Sequence, residues 1–196
     1  MCKLKSAIIL KDRIFMPDYD SHSDMLTELD ITDDYLGASK KFVRAELFPE
    51  NNDVFSDVDG WVFNVDQDIT PEWFSEDEYK PKMVEAVKEW AKTHIHIGIN
   101  GLKIDSGNNH YIKDCKDVEI KNSTVTAWGN STVTAWENST VTARENSTVT
   151  NNPYWTWYKQ NNLILADNAT FKDNFGKVIY QAGDYKLIAV ESGTKI

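Results

Sequence analysis

The chain has 196 residues, 21 Lys+Arg against 31 Asp+Glu and a formal charge of -10. With 41% hydrophobic residues it can bury a core in one or two domains, and its excess of acid argues against a general phosphate-binding surface, because cations carry most nucleic-acid affinity. Its apolar runs fall short of the ~20 residues of a spanning helix. The start Met1-Cys2-Lys3-Leu4-Lys5 lacks a secretory apolar stretch, and Cys2 and Cys115 have neither disulfide-framework nor metal-ligand spacing, so a cytoplasmic protein with two free thiols is expected.

Residues 1–100 hold 21 acids and 11 Lys+Arg, whereas residues 101–196 hold 10 of each, so the whole net charge lies in the first half. Seven acids fall between Ile14 and Ser39 and eleven between Ala45 and Tyr79, with no Lys or Arg in either window. The plain reading is a solvated acidic surface; the sharper one is a surface that competes for a basic nucleic-acid site.

In chain order, Ala7–Leu10 and Arg13–Met16 flank Lys11-Asp12 as a tight hairpin that Pro17 ends. Ser21 or Ser23 can cap a short helix with Met25, Leu26 and Leu29 on one face and Asp24 in its first turn. The runs 42–48 and 61–65 are rich in β-branched and aromatic residues and predict two strands, with Asn51-Asn52-Asp53 as a loop. Ser75 and Glu78 have capping-box spacing and Pro81 suits a first turn, which predicts a helix over about 80–94 with Met83, Val87, Trp90 and Ala91 on its buried stripe. Together these describe an acidic α+β domain over 1–100, its helices packed on a mainly antiparallel sheet.

The second half is dominated by a repeat. The octad Lys121 to Trp128 recurs as Gly129 to Trp136, Glu137 to Arg144 and Glu145 to Asn152, with Asn-Ser-Thr-Val-Thr constant. A short fixed period means a stacked architecture. Ser-Thr-Val-Thr is helix-averse and strictly alternating, which sets Ser123, Val125 and Ala127 on one side and Thr124 and Thr126 on the other. Each octad is then one strand and a corner of a parallel β-solenoid over 101–196. If two octads make a coil, Trp128 stacks near Arg144; three per coil would break that pairing. Gly101–Ile104 and Lys116–Glu119 are weaker copies before the array, and Asn168–Lys172 follows it. Tyr154–Tyr158 reads as an aromatic excursion, and Val178–Leu187 as a hairpin cap turning at Gly183 that protects the last rung.

An acidic N-terminal half joined to tandem Asn-Ser-Thr-Val-Thr-Ala-Trp units resembles uncharacterised proteins of phages and gut Firmicutes. The likeness includes Phe63–Asp68, Pro71–Phe74 and Glu89–Lys92 and covers most of the chain. It implies this architecture and a phage origin, and no activity comes with it.

Candidate chemistry is sparse. Asp57-Val58-Asp59-Gly60 has the Asp-x-Asp-Gly form of phosphatases and calcium loops, but Trp61 follows where a phosphatase would carry Thr, and Phe55 takes the first calcium position. A turn before a strand is the expectation. His94 and His96 could face one metal on a strand, yet no third ligand is close in sequence, and a histidine at a helix end also suits its negative pole. His22, beside Asp20 and Asp24, reads as a surface histidine. Asn122, Asn130, Asn138, Asn146 and Asn168 form sequons that read as solenoid corners, where Asn bonds backbone groups. No metal or cofactor is assigned.

Three functions are therefore in play. The first is a non-enzymatic binding protein whose surface of Asp53, Asp57, Asp59, Asp66, Asp68, Glu72, Glu76, Asp77 and Glu78 docks on a basic partner; a phage origin would make that partner a nucleic-acid-binding host enzyme and the protein an anti-defence inhibitor of the anti-CRISPR kind. The second is ice or glycan binding by a face of Thr124, Thr126, Thr132, Thr134, Thr140 and Thr142 together with the Tyr154–Tyr158 aromatics. The third is a hydrolase using Asp57 and Asp59. Neither nucleic acid nor membrane is expected as a direct partner, and the solenoid is a candidate homo-oligomer surface.

Overall fold

The computed structural model describes residues 4–32, 41–151, 162–172, 178–181 and 185–188. The described residues are sheet-rich with two α-helices, and the chain divides into two compact units, Met1–Thr93 and His94–Ile196.

In the first unit, β1 (Lys5–Leu10) and β2 (Ile14–Phe15) form the hairpin, closed by the Leu10 N–H on the Arg13 carbonyl at 2.8 Å. Helix α1 (His22–Glu28) starts on Ser21, whose hydroxyl accepts the Asp24 N–H at 3.3 Å. Strands β3 (Phe42–Phe48) and β4 (Val62–Val65) complete an antiparallel sheet of order β2-β1-β3-β4. Helix α2 runs over Glu76–His94. It begins four residues earlier than the Pro81 signal predicts, because the Ser75 carbonyl accepts the Glu78 and Tyr79 N–H groups and opens the helix there, leaving Pro81 inside it. Met83, Val87 and Trp90 are its buried stripe.

Period-2 geometry sets Lys5 and Ile8 on opposite faces of β1. Met25 and Leu26 of α1 pack with Ile8 and Phe42 on one face. Trp90 of α2 lies under the Lys5 ammonium at 5.2 Å, on the other. Because both faces are covered, β3 is apolar nearly throughout, and Glu46 within it is buried.

The second unit is a parallel β-solenoid. Its strands are β5 (Ile95–Ile97), β6 (Lys103–Ile104), β7 (Gly107–Lys113), β8 (Val118–Lys121), β9 (Ser123–Trp128), β10 (Thr132–Trp136), β11 (Thr140–Ala143), β12 (Thr148–Asn151), β13 (Asn162–Leu165) and β14 (Thr170–Lys172). They alternate between two sheets, β5-β7-β9-β11-β13 and β6-β8-β10-β12-β14. Two octads therefore make one coil: Thr124 pairs with Thr140 and Thr132 with Thr148. Ala127 pairs with Ala143, so Trp128 and Arg144 share a column, while the Trp128 ring meets Tyr111 of the preceding coil at 6.1 Å. The stack starts at β5, earlier than the Gly101–Ile104 copy predicts. Ile95–Ile97 pairs with Tyr111–Lys113, a register no octad motif announces.

The alternation places side chains as expected. Val125, Val133, Val141 and Val149 are buried in one core shared by both sheets, with Ala127, Ala135 and Ala143 beside them. Ser123, Ser131, Ser139 and Ser147 are also inside, and their hydroxyls donate to nearby carbonyls, Ser131 to that of Trp128 at 2.6 Å. Between β12 and β13 the step lengthens: Thr148 pairs with Thr170 and Thr140 with Asn162, 22 positions on.

Two further strands differ from the expected hairpin. β15 (Val178–Gln181) runs antiparallel to β14, and β16 (Tyr185–Ile188) antiparallel to β13, so each adds to a different sheet instead of pairing with the other. Gly183, the Tyr154–Tyr158 segment and Cys2 lie outside the described residues. No helix of the described residues is long and apolar enough to cross a membrane.

Candidate binding surfaces and a buried histidine

All nine acids of the expected docking surface, Asp53 to Glu78, are exposed. The fold gives several of them local work. Asp53 accepts the Phe55 N–H at 3.1 Å, and Asp57 accepts the Asp59 N–H at 3.1 Å to cap a single 3-10 turn over Val58–Gly60, the role expected for Asp-x-Asp-Gly. Glu76, Asp77 and Glu78 occupy the first turn of α2, where the helix dipole favours negative charge.

A lysine-free window in sequence is not a lysine-free surface in space. Lys88 of α2 pairs with Asp59 at 2.7 Å and with Glu85 at 3.0 Å, and its pKa rises to about 12, chiefly through the hydrogen bond to Asp59. Lys82 pairs with Glu78 at 2.6 Å. The eleven acids from Ala45 to Tyr79 also include Glu46, which is buried and belongs to no surface.

The six threonines expected on one face fall on two. Thr124, Thr126, Thr140 and Thr142 lie on β9 and β11, whereas Thr132 and Thr134 lie on β10 in the other sheet, stacked with Thr148 and Thr150. With both sheets directed inward at one core, their outward faces point apart, and each carries four repeat threonines. All six are half-buried.

The corners are shared between residue types. Asn122 and Asn138 adopt positive φ, but at the corner between β9 and β10 and its equivalents the left-handed residues are Gly98, Asp114, Gly129, Glu145 and Asp167. Asn130 and Asn146 follow these. The Asp114 carboxylate accepts the Asn130 N–H at 2.9 Å, Glu145 accepts the Gly129 N–H at 2.7 Å, and Asp167 accepts the Glu145 N–H at 3.1 Å. Acids thus satisfy corner N–H groups of the next or previous coil.

The histidines are the largest revision. His94 and His96 are joined by His110, whose ring stacks on His94 at 4.7 Å and lies 6.1 Å from His96. The third member was invisible locally because it stands sixteen positions after His94, one coil on. Cys115 is buried nearby, its thiol donating to the His96 carbonyl at 3.4 Å.

His22 is not a surface residue. It is 5% exposed, because α1 turns it onto the sheet. Its Nε2 lies 3.2 Å from the Ala45 carbonyl, and its Nδ1 lies 3.5 Å from Asp66 Oδ2. Glu46, 3% exposed, stands beside them, its carboxylate accepting from Asn64 Nδ2 at 3.3 Å. The sequence pattern that marks this site is faint: Glu46 is an acid inside an apolar strand, and α1 buries the first residue of its first turn.

No protein-family model matches the chain, and neither a curated protein nor a solved structure matches it.

Proposed function

We propose that the chain is a non-enzymatic binding protein whose acidic α+β half docks on a basic, nucleic-acid-binding partner, with the solenoid as a rigid spacer. The observation that carries this reading is the exposure of all nine acids from Asp53 to Glu78 within a chain of net charge -10. Such crowding is costly in self-repulsion, and a cationic groove relieves it while the carboxylates compete with phosphates for the groove. In the phage setting implied by the octad resemblance, the partner is a host enzyme of nucleic-acid defence and the protein its anti-CRISPR-like inhibitor. β15 and β16 serve as the cap that covers the last parallel rung against edge-to-edge association. The threonine faces support ice or glycan binding less well, since each offers only four repeat threonines.

Immobilised protein incubated with bacterial lysate is the direct test. The expected catch is a basic nucleic-acid-binding protein, released by high salt and by added DNA. Charge reversal at Asp68 and Glu72 should weaken capture and T124A/T126A should leave it intact; the opposite pattern would move the binding surface to the solenoid.

A further inference from the structure

We propose that His22, Glu46 and Asp66 form a binding site for one divalent transition-metal cation that ties together α1, β3 and the segment after β4. One ligand atom from each residue lies within 4.8 Å of the others. Successive members of the set lie 24 and 20 positions apart in sequence, and each is held by a separate backbone or side-chain contact.

The histidine decides the chemistry. Nε2 faces the Ala45 carbonyl, and a carbonyl only accepts, so Nε2 carries the ring hydrogen. This is the outer contact that metal-binding histidines ordinarily make, and it leaves Nδ1 on the side of Asp66. Asp66 is placed by its own N–H on the Arg44 carbonyl at 2.9 Å. Glu46 sits directly across the β3–β4 ladder from Asn64, whose amide holds its carboxylate.

These contacts suit a neutral ring whose Nδ1 shares a cation with the acids, as against a doubly protonated ring ion-paired with Asp66. Distance favours the cation. The Nδ1 to Oδ2 separation of 3.5 Å is long for a charge-assisted hydrogen bond, which closes to about 2.7–2.9 Å. Two ligands each about 2.0–2.1 Å from a tetrahedral ion stand about 3.3 Å apart.

One imidazole and two carboxylates suit Zn²⁺ or a neighbouring first-row ion better than Ca²⁺, which takes six to eight oxygens. Asp66 is 56% exposed, which gives the ion a route in and water for its remaining positions.

The test is titration of the full-length, EDTA-dialysed protein with ZnCl₂ by calorimetry, alongside H22Q, D66N and the acidic-surface control D68N. The expected result is saturable 1:1 binding by wild type and by D68N, a rise in thermal midpoint on loading, and a loss of at least about tenfold in affinity in both H22Q and D66N. Imidazole ¹⁵N spectra should show the His22 Nδ1 resonance moving on loading while Nε2 keeps its hydrogen. Should H22Q not fold, D66N decides alone, its side chain being exposed. Absence of a 1:1 phase in wild type, only weak multi-site binding to the acidic surface, or a smaller loss in either folded variant would overturn the site.

Discussion

Lys5 shows how a single residue can be held at odds with its own chemistry. Its side chain has 0% exposure, and its ammonium donates to the Pro17 carbonyl at 2.6 Å and to Asp20 at 3.1 Å, over the ring of Trp90. Burial raises the Asp20 pKa despite the lysine, so desolvation outweighs the attraction of the pair. D20N keeps an acceptor for the Ser6 N–H but leaves the buried cation without its counter-charge. It is expected to cost about 3 kcal/mol in urea unfolding, and K5M/D20N to recover most of that. A double variant as unstable as D20N would contradict this account. Tyr19 offers a pH counterpart. Its hydroxyl donates to Glu28 at 2.5 Å, and that bond is the main reason its pKa rises from 10.0 to about 12. The folded value is the higher one, so the stabilisation is fully present below pH 10 and disappears as pH rises through about 12. Ultraviolet titration should find Tyr19 ionising late, and E28Q should return it towards its ordinary value.

At the scale of the element, the octad is legible because two periods coincide. Alternation of small or apolar residues with threonine assigns Val125 and Val133 to the interior, and recurrence at eight makes every strand repeat the choice. The corner does not follow the same consensus. Gly129 stands where two other octads carry Glu, at φ 65°, and a Cβ there would collide with the Asp114 carboxylate that accepts the Asn130 N–H. G129E would make the array more regular in sequence, yet it is expected to destabilise the solenoid by about 1–3 kcal/mol, from left-handed strain plus the displaced corner bond. Thermal unfolding followed by circular dichroism checks this, and an unchanged midpoint would mean that the corner relaxes freely.

For the whole molecule, the sixteen-residue coil gives a deletion with a definite outcome. Removing Gly129 to Arg144 takes out β10 and β11 and brings β12 into line with β8, Val149 facing Val118 as Val133 does now. Because solenoid coils interact mainly with their neighbours, the shortened chain should fold, with the protease resistance of residues 4–93 unchanged. Loss of that resistance would show that the two units are not independent.

The sequence by itself determined the octad strands, their inward valines and serines, a serine cap at Ser21 or Ser23 for α1 and the hairpin at Lys11-Asp12, since each depends on chemistry within a few residues of the same segment. The number of octads per coil, the division of the threonines between two faces, the His94–His110 stack and the Lys88–Asp59 pair were settled only by tertiary structure. So was the meeting of His22, Glu46 and Asp66. Each joins side chains sixteen or more positions apart, and strand pairing and helix docking, which bring distant segments together to bury apolar surface, carry no local sequence period that would announce them.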